Sequence, residues 1–390
     1  MKPIRILYLI DELYSSRAGS EQNLIWLLKN IPDSEFEKHF IIFSTFRYPE
    51  TFNFGRDVMV LGERFGHGYF SWFRRLFFLL RYIRKNKIDL IQAFSPNGEF
   101  ASVMASFLGR CGIVIGNLRD CGYDRNSWYR WIFWFSRLLR TRYIANSEAA
   151  RRAAFDNYKI PLDSIKVIRN PIALERIQTG LSEPILREEL FSEERRLSSV
   201  DSQVTNDFGD GKIVGMVATV RPIKDHPTLI RAAKIVLNKY PKTWFLFVGE
   251  QDADYKDELV RLAKREGTAS RIIWYGGINN PVRMLPLFDV AVLSSHSESF
   301  SNAVLEYAVA ERAIIVSDVG GLGEIIQDKK SGFLVPPENP EILAERIIQF
   351  LENPELAKNF GKSANEFAKK NYDEQIILQQ YIEYYKNAVS

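Results

Sequence analysis

Twice along this chain, short apolar runs alternate with longer segments of helical periodicity, and a stretch of different composition separates the two rounds. In the first round, Ile4–Ile10, Phe40–Ser44, Ile88–Phe94, Ile113–Leu118 and Tyr143–Ala145 read as strands. Between them lie helical patterns near Glu21–Lys29, Trp72–Lys85, Phe100–Leu108, Trp128–Arg140 and Glu148–Tyr158. An apolar run with no polar alternation marks a strand covered on both faces, and the intervening helices supply the crossovers that a parallel sheet needs. Lys166–Pro171 reads as the strand and turn that close this domain. The second round expects strands at Ile213–Ala218, Trp244–Val248, Ile272–Tyr275, Val290–Leu293 and Ile314–Ser317, with helices near Thr228–Lys239, Tyr255–Glu266 and Asn302–Ala310. The expectation is α/β, with two Rossmann-like, doubly wound domains at 1–170 and 212–370. Residues 171–211, rich in Ser, Glu, Arg and Asp toward their end, read as a linker or surface excursion. The tail 371–390 carries Ile377, Tyr381, Tyr384 and Tyr385 at helical spacing and reads as a last, separate helix.

A length of 390 residues suits two cores, and 46% hydrophobic with 26% charged residues is ordinary for a soluble protein. No run approaches the ~20 apolar residues of a membrane span. Ile4–Ile10 is short for a signal peptide and runs into Asp11-Glu12, so it reads as a buried first strand. The two cysteines, Cys111 and Cys121, form no metal-ligand spacing or disulfide framework, so a reducing cytoplasm is expected. The net charge of +4 conceals an asymmetry: residues 1–170 hold 26 basic and 16 acidic residues, a net of +10, whereas residues 171–390 hold 26 and 32, a net of −6. The two halves are expected to face different partners.

Glu298 and Glu306 stand eight positions apart in ESFSNAVLEYAVAERAIIVSDVGGLGEII. The run Ala303–Ala310 reads as a buried helix, where a carboxylate is costly unless something polar meets it. Upstream, Ser299, Phe300, Ser301 and Asn302 open that helix, and the free amides of a helix start suit a phosphate. The second round begins with a strand followed at once by Arg221 and Lys224, two cations able to neutralise a diphosphate, one through a planar fork and one as a point charge. His226 reads as a helix-start residue. In the first round, Gly19 and Glu21 follow the opening strand, where glycine lets backbone approach a ligand. Asn117-Leu118-Arg119-Asp120 ends another strand; Arg119 and Asp120 either meet a ligand or pair with each other. Asp252-Ala253-Asp254 has the look of a metal-binding Asp-x-Asp, but its place at a helix start makes Asp252 an N-cap, and no metal is expected.

Together, Glu298, Glu306, Arg221, Lys224 and the continuation Asp318–Glu324 resemble the Glu-x7-Glu pattern of retaining glycosyltransferases of the GT-B fold, family 4. The resemblance covers nearly the whole chain and is strongest from Val214 to Pro336. It implies two Rossmann-like domains facing across a cleft, with the C-terminal helix crossing back to the first. It implies a nucleotide-sugar donor, UDP- or GDP-linked, bound by the second domain. Glu306 would take the ribose hydroxyls, Glu298 would lie by the donor sugar, and Arg221, Lys224 and the amides of Phe300, Ser301 and Asn302 would hold the diphosphate. Ile278 and Gly19 would approach the donor through backbone, with no cofactor and no metal. The family often has a histidine after the strand at Ile88–Phe94; here Ser95 and Asn97 occupy that turn and, with Arg119 and Asp120, are the acceptor-side candidates. The acceptor would be a glycan or lipid-linked glycan, as in cell-surface polysaccharide or lipopolysaccharide synthesis. A nucleotide-sugar epimerase, a phosphorylase of the same fold and a non-catalytic nucleotide-sugar-binding protein are the alternatives.

Two helices of the basic half carry aromatics on the side expected to be wet. In 72–85, Trp72, Leu76, Leu79 and Ile83 form an inward stripe, opposite Arg74, Arg75, Phe78, Arg81, Tyr82 and Lys85. In 128–140, Trp131, Phe135 and Leu138 point inward, leaving Arg130, Phe133, Trp134 and Arg137. Such mixtures suit an anionic bilayer surface. The expectation is a peripheral protein on the cytoplasmic face of a membrane, with no nucleic-acid partner; a buried aromatic core with a positive rim is the plain alternative.

Overall fold

A computed structural model describes residues 2–13, 19–46, 58–66, 69–109, 113–119, 121, 133–134, 141–190 and 211–390. Its contacts divide the chain into two units, Met1–Pro171 with Gln375–Ser390, and Ile172–Glu374.

The first unit holds β1 (Ile4–Leu13), β2 (Phe36–Phe46), β3 (Met59–Val60), β4 (Leu90–Ala93), β5 (Ile113–Leu118), β6 (Arg142–Ala145) and β7 (Ile165–Val167). They form one sheet in the order β3-β2-β1-β4-β5-β6-β7, with every adjacent pair parallel. Strand order therefore reverses between β1 and β4, where Ile6 to Leu9 pair with Leu90 to Ala93. Helices Gly19–Asn30, Tyr69–Asn86, Pro96–Gly109 and Glu148–Tyr158 accompany the sheet. Leu7, Leu9, Ile41 and Ile91 pack on one face with Leu76, Leu79 and Ile83. Ile6, Tyr8, Ile42 and Leu90 pack on the other with Leu24, Leu27, Ile377, Tyr381 and Tyr385. The C-terminal helix Glu374–Val389 thus completes the first core, with the ring of Tyr385 edge-on to Phe36 at 6.0 Å.

The second unit is a six-stranded parallel sheet of β8 (Ile213–Val217), β9 (Trp244–Val248), β10 (Ile272–Gly276), β11 (Val290–Leu293), β12 (Ala313–Ser317) and β13 (Phe333–Val335), ordered β10-β9-β8-β11-β12-β13. Its order reverses between β8 and β11, joined by Val214 opposite Val290. β9, β11 and β12 are buried along their whole lengths, which is why they read as unbroken apolar runs. Open α/β sheets bind ligands beyond the carboxyl ends of their strands where the order reverses. Each unit therefore has one such position.

The segment read as a linker is partly built into the second unit. Helices Leu174–Ser182 and Arg187–Leu190 precede β8, and Ile177, Ile185 and Leu190 are buried in its core. The amide of Ile185 donates to the carbonyl of Arg283 at 2.9 Å, and the Arg283 guanidinium donates to the carbonyl of Glu183 at 2.6 Å. Gly180 lets the helix sit close, since a Cβ there would lie 2.8 Å from both Asn280 Nδ2 and Val282 Cβ. Residues 191–210 of that segment, and most of the expected helix 128–140, lie outside the described residues. So does Cys111, while Cys121 is a half-buried thiol.

Candidate functional site

Beyond the end of β8 the chain makes a short turn, Pro222–Lys224, entered by an exposed Arg221 and closed by Asp225 at φ +47°. That left-handed backbone turns the Asp225 side chain onto the helix His226–Lys239, where Oδ1 accepts from the Thr228 amide at 3.3 Å. Asp225 is buried, and burial pushes its carboxyl up from the ordinary value against that hydrogen bond and nearby His296.

Lys224 and Glu298 form an ion pair, so the turn after β8 reaches the loop after β11. The Ser295 hydroxyl donates to the same Glu298 oxygen at 2.9 Å, and the Gly321 amide donates to the Glu298 carbonyl at 3.0 Å. Glu298 is thus fixed by a cation, a hydroxyl and the loop that follows β12. After it, Phe300 packs edge-on against Tyr372 at 5.4 Å, and Ser301 caps the helix Asn302–Val309, its hydroxyl accepting from the Val304 amide at 3.4 Å. The helix therefore starts at Asn302, directly after its Ser301 cap.

Glu306, 5% exposed, lies in the middle of that helix and forms an ion pair with Arg176. The partner that a buried carboxylate requires is thus supplied from the helix Leu174–Ser182. Arg176 is a site residue that the sequence reading missed: its only local signal is a cation in a stretch whose composition reads as a linker. The neighbouring Tyr307 hydroxyl accepts from the Val217 amide at 2.6 Å, tying the helix to the last residue of β8, and burial pushes its phenol far above the ordinary value. Ile278 follows β10 in a loop whose Asn280 donates from Nδ2 to the Arg176 carbonyl at 2.9 Å. Asp252 accepts from the Tyr255 amide at 3.0 Å and caps the helix Ala253–Glu266, as its position suggested, while Asp254 is exposed in the first turn.

His226, read as a helix-start residue, does begin its helix, but it is 1% exposed and its ring lies 5.3 Å from Phe247 and 6.4 Å from Trp274. Neither ring nitrogen has a hydrogen-bond partner among the described residues. Burial, aided by Lys224, pulls its pKa down to about 3.

In the first unit, Ser95 and Asn97 follow β4 and meet the end of β1. The Asp11 amide donates to Ser95 Oγ at 2.9 Å, and Asn97 Nδ2 donates to Asp11 Oδ2 at 2.9 Å. Burial pushes the Asp11 carboxyl up, opposed by Asn97 and by the charge of Arg75. Asp11 closes this polar group at the reversal between β1 and β4; it was read only as the end of an apolar run. Gly19 begins the helix Gly19–Asn30, and residues 14–18 lie outside the described residues. Arg119 is turned into its own unit: it donates to Asn170 Oδ1 at 2.9 Å, to Asn23 Oδ1 at 2.6 Å and to the Tyr381 hydroxyl at 3.4 Å. Asp120 lies outside the described residues.

The expected wet face of the helix Tyr69–Asn86 needs correction. Arg75 is buried and donates to the Phe43 carbonyl at 3.0 Å, and Phe78 and Tyr82 are half-buried, with Phe78 against Phe65. Exposed instead are Phe70, Phe73 and Phe77, beside exposed Arg74, Arg81, Arg84 and Lys85. In the second expected helix, Phe133 is buried, contrary to expectation, and Trp134 is exposed. No described helix is long and apolar enough to cross a membrane.

Two family models match, "Glycosyl transferases group 1" over residues 199–367 and "Glycosyltransferase Family 4" over residues 27–176. The chain belongs to glycosyltransferase family 4, and its two parallel α/β units are those of the GT-B architecture. It is 27% identical over 176 residues, 45% of its length, to a poly(ribitol-phosphate) alpha-N-acetylglucosaminyltransferase of Staphylococcus aureus, of which the match spans 35%. It is 20% identical to a capsular polysaccharide biosynthesis glycosyltransferase of the same species over 80% of each chain. Less than half the length of the first four curated relatives is matched. An Anabaena protein solved with UDP and glucose shares the fold at a TM-score of 0.78 and 20% identity, covering 98% of this chain and 100% of that one.

Proposed function

We propose that this chain is a retaining, metal-independent glycosyltransferase that moves a sugar from a UDP- or GDP-sugar to a hydroxyl of a glycan or lipid-linked glycan. The observation that carries the reading is the Lys224–Glu298 pair, which joins the turn after β8 to the loop after β11 at the reversal of strand order. Arg221, Lys224 and the amides at Phe300, Ser301 and Asn302 take the diphosphate, Glu306 the ribose, Glu298 the donor sugar, and the backbone at Ile278 the base. On the first unit, Gly19 meets the donor, and Ser95, Asn97 and Asp120 serve the acceptor. Arg119, bonded to Asn23, Asn170 and Tyr381, supports them by holding its unit's interior together.

In the reaction, the bond between the anomeric carbon and the diphosphate oxygen breaks as the acceptor oxygen bonds that carbon from the same face. The acceptor's proton passes to the departing phosphate oxygen. Negative charge grows on the diphosphate, so cations and amides that meet it bind the transition state more strongly than the ground state. The basic, aromatic face of Tyr69–Asn86 docks the protein on an anionic membrane from the cytoplasmic side, and capsular or teichoic-acid-type polymers are the acceptor class its relatives suggest.

The test is a panel of UDP- and GDP-sugars screened for thermal stabilisation, since a ligand bound by the native state alone raises its stability. The stabilising donor is then assayed for acceptor-dependent nucleotide release with and without chelator, and the product's anomeric configuration is read by NMR. Loss of activity in chelator, or an inverted product, would overturn the corresponding part of the reading.

A further inference from the structure

Glu306 presents a physical problem that its proposed ligand does not solve. Its side chain is 6% exposed, within a helix whose Val304, Leu305, Tyr307 and Ala308 are all buried. A carboxylate in such a place is costly without a partner that fixes its orientation, and removing one partner of a buried pair is far costlier than losing a surface pair. Arg176 is that partner, its Nη2 meeting Glu306 Oε1.

The source of this arginine is informative. The helix Leu174–Ser182 is held against the turn Pro281–Leu287 by buried Ile177 and by the close approach that Gly180 permits. The carbonyl of Arg176 accepts from Asn280 Nδ2 at 2.9 Å, two residues beyond Ile278. One residue therefore grips, through its side chain, the carboxylate assigned to the ribose and, through its backbone, the loop assigned to the base. The pairing engages Oε1 and leaves Oε2 to accept from a vicinal diol.

We infer that Arg176 is a positioning residue for nucleotide recognition: its cationic side chain holds the Glu306 carboxylate in one orientation, and so sets the preference for a ribose over a 2′-deoxyribose. This rests on the assignment of Glu306 to the ribose. The residue touches no reacting atom. Its action passes through Glu306, and a hydrogen bond from a sugar hydroxyl to a well-oriented carboxylate is worth about tenfold or more in affinity.

The experiment measures dissociation constants of full-length wild type, Arg176→Leu, Arg176→Lys and Glu306→Gln for UDP, GDP and their 2′-deoxy counterparts by calorimetry, using the base that binds more tightly. Wild type should prefer the ribonucleotide by about tenfold or more. Glu306→Gln and Arg176→Leu should each reduce that preference to about threefold or less, and Arg176→Lys should restore most of it. A variant that only loosened the fold would weaken both nucleotides equally and leave their ratio unchanged. Should wild type discriminate while Arg176→Leu discriminates as well, the role of Arg176 is overturned and that of Glu306 stands. Absence of discrimination in wild type would remove the ribose assignment and the inference with it. If Arg176→Leu does not fold, Arg176→Gln, which keeps hydrogen-bonding capacity without charge, must lower the ratio, or the inference fails.

Discussion

Lys224 and Glu298, 74 positions apart, form an ion pair in which Glu298 also accepts from the Ser295 hydroxyl. Each member balances the other's charge, so on the proposed reading an arriving diphosphate would compete with Glu298 for the ammonium. Lys224→Met should weaken UDP or GDP binding by about ten- to hundredfold, the range for a charge-assisted hydrogen bond, and narrow the preference for diphosphate over monophosphate. Calorimetry with both forms checks this, and an unchanged preference would remove Lys224 from the phosphate site.

The hydroxyl of Tyr307 links this site to its sheet by accepting from the Val217 amide at 2.6 Å in a fully buried position. Tyr307→Phe removes the acceptor and leaves that amide without its partner. The expected cost is about 1–3 kcal/mol of stability. Chemical denaturation should show the midpoint falling with little change in slope, and no loss would mean that water or another group takes over the bond.

Much of the fold was legible because the physics that selects it is local. β9, β11 and β12 are buried on both faces and announce themselves as Trp244–Val248, Val290–Leu293 and the run through Ser317. β13 was not legible: Phe333–Val335 is only three residues long and becomes a strand through pairing with β12. Glu306 could be read as needing a polar partner, because an acid inside an apolar helical run demands one. That the partner is Arg176 depends on a helix–turn packing across more than 100 positions, and on a glycine whose fit appears only beside Asn280 and Val282. On the surface, helical periodicity placed Leu76, Leu79 and Ile83 inward, but it could not tell that Arg75 would be buried too, bonded to the Phe43 carbonyl.

His226 gives a pH signature of the second unit. Its folded pKa is about 3 against an ordinary 6.5, so the native ring stays neutral while the unfolded ring gains a proton below pH 6.5. Between those values the unfolded state binds more protons, and stability falls as pH falls; above 6.5 the contribution is constant. At pH 5 this linkage amounts to about 2 kcal/mol. Substituting phenylalanine keeps the ring contacts with Phe247 and Trp274 and removes the titration. The difference in unfolding free energy between His226→Phe and wild type should therefore move by about 2 kcal/mol in favour of the variant from pH 7 to pH 5. A pH-independent difference would mean that the native ring takes up its proton over the same pH range as the unfolded one, and that burial does not depress its pKa.

The exposed face of the helix Tyr69–Asn86 makes the membrane reading testable residue by residue. Phe70, Phe73 and Phe77 are 88%, 64% and 62% exposed and fall at spacings of three and four, which puts them on one side of the helix. Exposed Arg74 and Arg81 lie beside them. Aromatics beside basic residues bind a bilayer by two separable contributions, burial of the rings at the headgroup level and attraction to anionic lipid. Arg74→Gln with Arg81→Gln should lower partitioning onto vesicles rich in anionic lipid by about thirtyfold, taking roughly 1 kcal/mol for each charge, and should do so only at low salt. Phe73→Ser with Phe77→Ser should lower it at every salt concentration. Arg75 is left intact in both, because its buried guanidinium is bonded to the Phe43 carbonyl and its loss would disturb the core. Sedimentation with vesicles, repeated with zwitterionic lipid, reads both contributions. Unchanged binding in both double variants would show that this face does not meet the membrane.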